Sequence, residues 1–443
     1  MRDMENFIKD NQSRKFYQEI RETKKGYQPA WQVLEDDRKN LVTDLAELKN
    51  MWKNYFEQLL NCTPPQDKVE EVTDEAENDD EVSPLSFEEV ILAVKRLKNN
   101  KSPGIDNLPS EVWKYSGESG QLKLFELLIK IWNNEKIPKE WNIGIICPIH
   151  KKGPRRKCTN YRGITLLSTA YKVLSYVLLR RLEPYAEAII CDYQCGFRRN
   201  RSTVDQIFLL KQIMEKRWEY AQSVHSLFVD FAKAYDSVDR GSLYNVLKKF
   251  AIPNKLIRLI KMMTGESRAV VRVGTELTEE FKVITGLKQG DALSPMLFNL
   301  ALEYVIRHVV ALDGGIPLNG LHKVIGYADD LALLGAAKEE VARAAEVLDR
   351  EAKRVGLSIN HEKTEYIHMR RYRSSRIPRE DLKVANLTYK GVEKFKYLGC
   401  TITDQNTREE EIEIRVQNSL RCSAALHKVL VSRLLSRRTK IRI

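Results

Sequence analysis

The stretch "IGYADDLALL", residues 325–334, sets Asp329 and Asp330 side by side inside an apolar run. Adjacent carboxylates lose free energy when they leave water, by desolvation and by mutual repulsion. A turn between two strands offers a way out. The flanking apolar residues enter a sheet, and the acids project from its end. A cation would then offset the repulsion. Mg²⁺ takes a few carboxylates together with phosphate oxygens of a substrate. Holding two such ions needs a third acid. Asp230 qualifies, because it ends the apolar segment 226–231 of "HSLFVDFAKAYDSVDR", a strand without a polar face. Paired aspartates are also ordinary turn formers, so this doublet alone decides little.

Around this centre the chain mixes strands and helices without regular alternation, which predicts an α+β fold with an antiparallel sheet. Strands are expected at "NIGIICPIH", "RAVVRVG", "EEFKVIT", "LSINHEKTEYIHM" and "FKYLGCTIT". Helices are expected at about 168–182 and at 337–355, where Gly356 stops the helix. Ser86 with Glu89 reads as a capping box. In "GLKQGDALSPMLFN", Ser294 suits an N-cap and Pro295 the first helical position. The spacing of Leu41, Leu45, Leu48 and Trp52 predicts an apolar helix face.

The 443 residues carry a net charge of +12. Residues 66–82 hold nine acids and one lysine, so the rest of the chain carries +20. That excess points to a polyanionic partner, most simply nucleic acid. No apolar run reaches the length of a membrane span, and "MRDMENFIKD" lacks a signal core, so an intracellular protein is expected. The seven cysteines include no CxxC pair, and Cys191 with Cys195 has no partner pair at zinc spacing. His225, His322, His361 and His368 show no metal-ligand spacing.

Taken in order, "FVDFAKAYDSVDR", "GLKQGDALSPMLFN" and "YADD" resemble the reverse transcriptases of non-LTR retrotransposons, the LINE-type elements, with an RTE-like flavour. The resemblance covers about residues 85–400. It implies a right-hand polymerase of fingers, palm and thumb that extends a primer 3′-hydroxyl with dNTPs on an RNA template, at a DNA primer or target. It further implies that Asp230, Asp329 and Asp330 are catalytic and bind two Mg²⁺ ions, with Mn²⁺ as an alternative. Tyr235 matches the steric gate against ribonucleotides. Gln289 and Gly290 match the step that meets the incoming nucleotide, although Lys288 and Ala292 replace the usual Arg and Pro. Arg162 falls near the triphosphate, within a basic loop (150–162) that has no acid. Arg198, Arg199 and Arg201 match a template-contacting segment, Lys363 a proton donor to pyrophosphate, and Tyr397, Leu398 and Gly399 the primer grip.

The expected organisation is a helical extension (1–62), an acidic disordered linker (63–84), fingers and palm (85–400) and the start of a thumb (401–443). Nothing resembles the endonuclease of complete LINE-type proteins, so a piece of a larger element is expected. The alternative is a folded, inactive remnant that only binds nucleic acid. Relatives copy at chromosomes, which implies nuclear entry; the expected location is the nucleus, the cytoplasm or both.

Overall fold

The Val224–Val229 strand is buried at every residue, and the layers around it explain why. It lies inside a six-stranded sheet ordered Val324–Tyr327, Asp330–Gly335, Val224–Val229, Glu365–Met369, Leu387–Gly391, Leu382–Val384. Leu227, Val229, Leu331, Leu333 and Tyr366 face a helical layer that includes Leu297, Val305 and Leu348. Val224, Phe228, Ala332, Leu334 and Ile367 point the other way, onto Leu210, Ile213 and Met214 and onto Tyr397 and Ile402. With both faces covered, the strand has no wet side, so its sequence shows no alternation. The sheet is antiparallel except where Glu365–Met369 runs parallel to Leu387–Gly391. The expected α+β fold with an antiparallel sheet is present, with this one parallel pair in it.

These observations come from a computed structural model that describes residues 2–9, 12–25, 33–36, 38–71, 82–370 and 380–443. Residues 72–81 of the expected acidic linker lie outside the described residues. The chain divides into two compact units, Gln32–Asn406 and a second made of Met1–Trp31 with Thr407–Ile443.

The larger unit holds a second sheet. In it Tyr161–Leu166 pairs antiparallel with Ile143–His150, which runs parallel to Ser267–Val273. The Leu45–Leu59 helix covers this sheet through Leu48, Trp52 and Phe56, which meet Ile146, Ala269, Val271 and Phe281. The spacing of four places those three side chains on one face. Leu41 does not join them. Leu41–Val42 pairs instead with Leu34–Glu35, and Asp44 caps the helix by accepting from the N–H groups of Ala46 and Glu47. The Ser86–Glu89 capping box is present.

The helix Ser294–Val310 is buried on nearly every side, as an apolar helix inside a core must be. Its start corrects the expected cap: Leu293 holds the N-cap position and Ser294 is already helical. No side chain caps this helix; the buried Asp291 carboxylate accepts from the N–H groups of Ala292 and Leu293, just ahead of it.

The smaller unit gathers Arg2–Lys9, Ser13–Lys25, Glu409–Leu430 and Arg437–Arg442. Met4, Phe16, Ile20, Leu426, Val429 and Leu435 form its core. Glu5 accepts from the Ser436 N–H and the Thr439 hydroxyl at 3.0 and 2.7 Å. Among the described residues, no helix is long and apolar enough to cross a membrane.

Candidate active site

Tyr327 pairs with Asp330, leaving a two-residue loop of Ala328 and Asp329. Ala328 adopts φ +57°, a left-handed conformation that costs a residue with a Cβ about 1–2 kcal/mol. Gln194 supports it. Its Oε1 accepts from the Ala328 N–H at 2.7 Å and the Gly196 N–H at 2.9 Å, while its Nε2 donates to the Ala328 carbonyl at 3.2 Å. A Cβ on Gly196 would stand 2.2 Å from the Ala328 nitrogen, so only glycine lets this brace approach.

Asp230 follows the central strand, whose last pair is Val229 with Leu331. One step further, the register sets Asp230 opposite Asp330, with Cα atoms about 5 Å apart. Thr364 Oγ1 accepts from the Asp230 N–H at 3.2 Å, and the Asp230 carbonyl accepts from Asn360 at 2.7 Å. The three acids predicted from sequence therefore meet at one sheet end. Burial raises the Asp329 carboxyl above its usual range, and Asp230 adds to it. Burial, then Asp329 and Asp230, push Asp330 up to about 6.

Cations surround this cluster. Lys363 Nζ lies 3.5 Å from Asp230 Oδ2. Lys151 acts on Asp329 and Asp330, and Arg162 on Asp329. The donor set suits a divalent cation: hard carboxylate oxygens whose repulsion such an ion would relieve. Among the described residues no three acidic, His or Cys side chains stand at ligand spacing.

Tyr235 lies beside them, half-buried, its ring stacked on Phe298 at 4.6 Å and 23°. Burial and Asp329 raise its phenol well above the ordinary value. The loop carrying Gln289 and Gly290 is joined to the Tyr235 segment at several points. Tyr235 and Val238 carbonyls accept from Leu287 and Gly286 N–H at 2.7 and 2.8 Å, and Gln289 Nε2 donates to Asp236 Oδ1 at 2.8 Å. The Gln289 carbonyl accepts from Thr165 at 2.8 Å, and a Cβ on Gly290 would stand 2.6 Å from the Thr165 oxygen. Beneath the loop, buried Arg240 donates to the carbonyls of Gly286, Gly265, Val283 and Thr285.

Two expectations change. Arg198 has a side chain only 5% exposed, bound to Glu187 and to the carbonyls of Cys191 and Gln194. It builds the loop and does not face a template. Arg199 pairs with Glu183 and Arg201 with Asp192, both with part of the side chain in solvent. Tyr397 is 2% exposed and sits in the core near Phe228, at 5.3 Å. Leu398 and Gly399, at φ +48° and +85°, form the hairpin tip beyond it. His225 and His368 stack at 4.1 Å across neighbouring strands. Gln194, Asp236 and Arg240 were not singled out as site residues by sequence. For Gln194 a signal existed, the nearby Gly196; for Arg240 there was none.

A family model described as reverse transcriptase (RNA-dependent DNA polymerase) matches residues 149–402. The chain is 25% identical over 365 residues to the 149 kDa protein of transposon TX1 from Xenopus laevis, covering 80% of this chain and 28% of that protein. It is 29% identical over 299 residues to a probable RNA-directed DNA polymerase from transposon BS of Drosophila melanogaster, covering 64% and 32%. A third relative, the Pol polyprotein of retrotransposable element R2 from Popillia japonica, is 27% identical over 324 residues, covering 71% and 44%. The chain thus spans less than half the length of these relatives. Among solved structures it is similar to an apo telomerase from Candida Tropicalis, with a TM-score of 0.45 and 13% identity over 70% of this chain and 62% of that one.

Proposed function

The chain belongs to the reverse transcriptase family, and from that premise we propose that it extends a primer 3′-hydroxyl with dNTPs on an RNA template. The observation that carries this reading is the meeting of Asp230, Asp329 and Asp330 at one sheet end with Lys151, Arg162 and Lys363 around them. A triphosphate needs that arrangement: an anionic centre for cations, rimmed by side chains that bind phosphate oxygens.

Reverse transcriptases work with divalent metal ions. Here Asp230, Asp329 and Asp330 would hold two Mg²⁺, which supply charge neutralisation and a more acidic 3′-hydroxyl. Lys151 and Arg162 bind the triphosphate. The Tyr235 ring occupies the space a ribose 2′-hydroxyl would need. Gln289 and Gly290 line the nucleotide's place, and the Lys363 ammonium protonates departing pyrophosphate. Leu398 and Gly399 meet the primer end, while Arg199 and Arg201 steer the template without reading sequence. A polymerase priming on chromosomal DNA would act in the nucleus, reached from the cytoplasm where it is made.

Primer extension on an RNA template with Mg²⁺ tests the proposal. Incorporation that Asp329→Asn abolishes supports it. Tight, salt-sensitive binding of template–primer without any extension would sink it and leave a binding remnant.

A further inference from the structure

Residues 240–265 contain six cations and no acid. Arg240 is buried beneath the Gln289 loop, but the others lie at or near the surface. On the Asn254–Thr264 helix, Lys255, Arg258 and Lys261 recur every third residue, which lines them along one face at about 4.5 Å of rise per step. Two clefts, of about 710 and 460 Å³, share Arg258 and Lys261 as a common wall. The larger adds Lys136 and Lys139, the smaller Lys248.

The acids along these clefts are Glu135, Glu266 and Glu71. Glu135 is already held by Lys255 and Arg258 at 2.7 and 3.0 Å, and Glu71 stands 3.7 Å from Lys248. Lys136, Lys139 and Lys261 are exposed and have no ion-pair partner among the described residues. Five cations face three acids, so an anion meets a positive trough.

The trough is remote from the acids of the candidate active site. Lys139 and Asn142 precede the strand Ile143–His150, and Lys151 follows it. Eight strand residues span about 26 Å. Parallel pairing of Ile143 with Arg268 keeps Gly265 and Glu266 at the far end as well.

We propose that these joined clefts bind the phosphodiester backbone of a nucleic-acid strand at a site separate from the active site. A single small anion would need cations converging on one point. Here they are strung along a helix face and across two adjoining clefts, which suits a linear series of phosphates. Such contacts give affinity without sequence preference and add to the salt dependence. The inference does not depend on the polymerase reading.

The test is a fluorescence-anisotropy titration of the full chain with a long single-stranded RNA, and with a DNA of the same length, across a range of salt. The double variant Lys139→Glu/Lys261→Glu changes only exposed side chains. Its affinity for the long RNA should fall at least tenfold at low salt. The slope of log K against log salt should shrink by about 1.4, or about 0.7 for each lost phosphate contact. An equal loss for RNA and DNA assigns recognition to the phosphates. A loss for RNA alone adds contacts to ribose hydroxyls. Parental affinity and slope for both strands would overturn the proposal. Extension of a short template–primer is measured in parallel and should be unchanged. If neither protein extends it, the polymerase reading falls, while the binding comparison still judges the trough.

Discussion

Replacing Gln194 with methionine keeps the volume of the side chain and removes its amide. The Ala328 N–H and carbonyl, both bonded to Gln194, would then sit buried without partners. Each orphan costs about 1–3 kcal/mol. Ala328 also needs help to stay at φ +57°, a conformation that is about 1–2 kcal/mol uphill. Loss of the brace therefore exceeds the strain it holds, and the turn relaxes, taking Asp329 with it. If about 2–4 kcal/mol of positioning is lost, kcat for single-nucleotide extension should fall roughly 30- to 1,000-fold at 1.36 kcal/mol per decade. KM for the dNTP should move little, because Lys151, Arg162 and Gln289 stay in place. Single-turnover extension at saturating dNTP measures the effect, and urea unfolding checks that the variant is folded. Adding Ala328→Gly relieves the left-handed strain and should return about 1 kcal/mol, or roughly fivefold in kcat. A folded Gln194→Met protein with kcat within threefold of the parent refutes the reasoning, as does a double variant no faster than the single.

Four further outcomes are expected. Asp329→Asn should abolish extension while template–primer binding survives in a gel-shift assay. Tyr235→Ala should admit ribonucleotides, and equal discrimination in mutant and parent would remove the gate role. Arg240→Met removes a donor from four carbonyls, three of those contacts buried, so chemical denaturation should show a loss of about 3 kcal/mol or more. Burial, with His368 next, holds His225 down at about 4. Protons then bind the unfolded chain first, so stability should decline as pH falls from 6.5 towards 4, by up to about 3 kcal/mol. Urea midpoints should trace that decline, and His225→Phe should flatten it.

The acids were legible because their signal is local. A carboxylate at the end of a strand with two apolar faces has few structural reasons to be there, and Asp230 and Asp329 each show that pattern within ten residues. What holds them was not legible. Gln194 lies 134 residues from Ala328, and Asp236 lies 53 from Gln289; only the folded topology brings such partners together. Arg198 misled because a cluster of arginines reads as exposed charge until Glu187 is seen beside it. Tyr397 misled for a reason of register. Phe395 and Tyr397, two apart on a strand, share a face, and that face covers Phe228. Leu41 looked like the next turn of a helix that Asp44 had already begun.

The smaller unit draws on residues 1–31 and 407–443, and this has a consequence for synthesis. Phe16 and Ile20 are made at least 387 codons before Thr407. At about 5–20 residues per second, they wait roughly 20–80 s for Leu426 and Val429. During translation the central sheet can close while this apolar surface is still unmatched. Nascent chains stalled short of residue 407 should therefore engage chaperones through their first two helices, and completed chains should not.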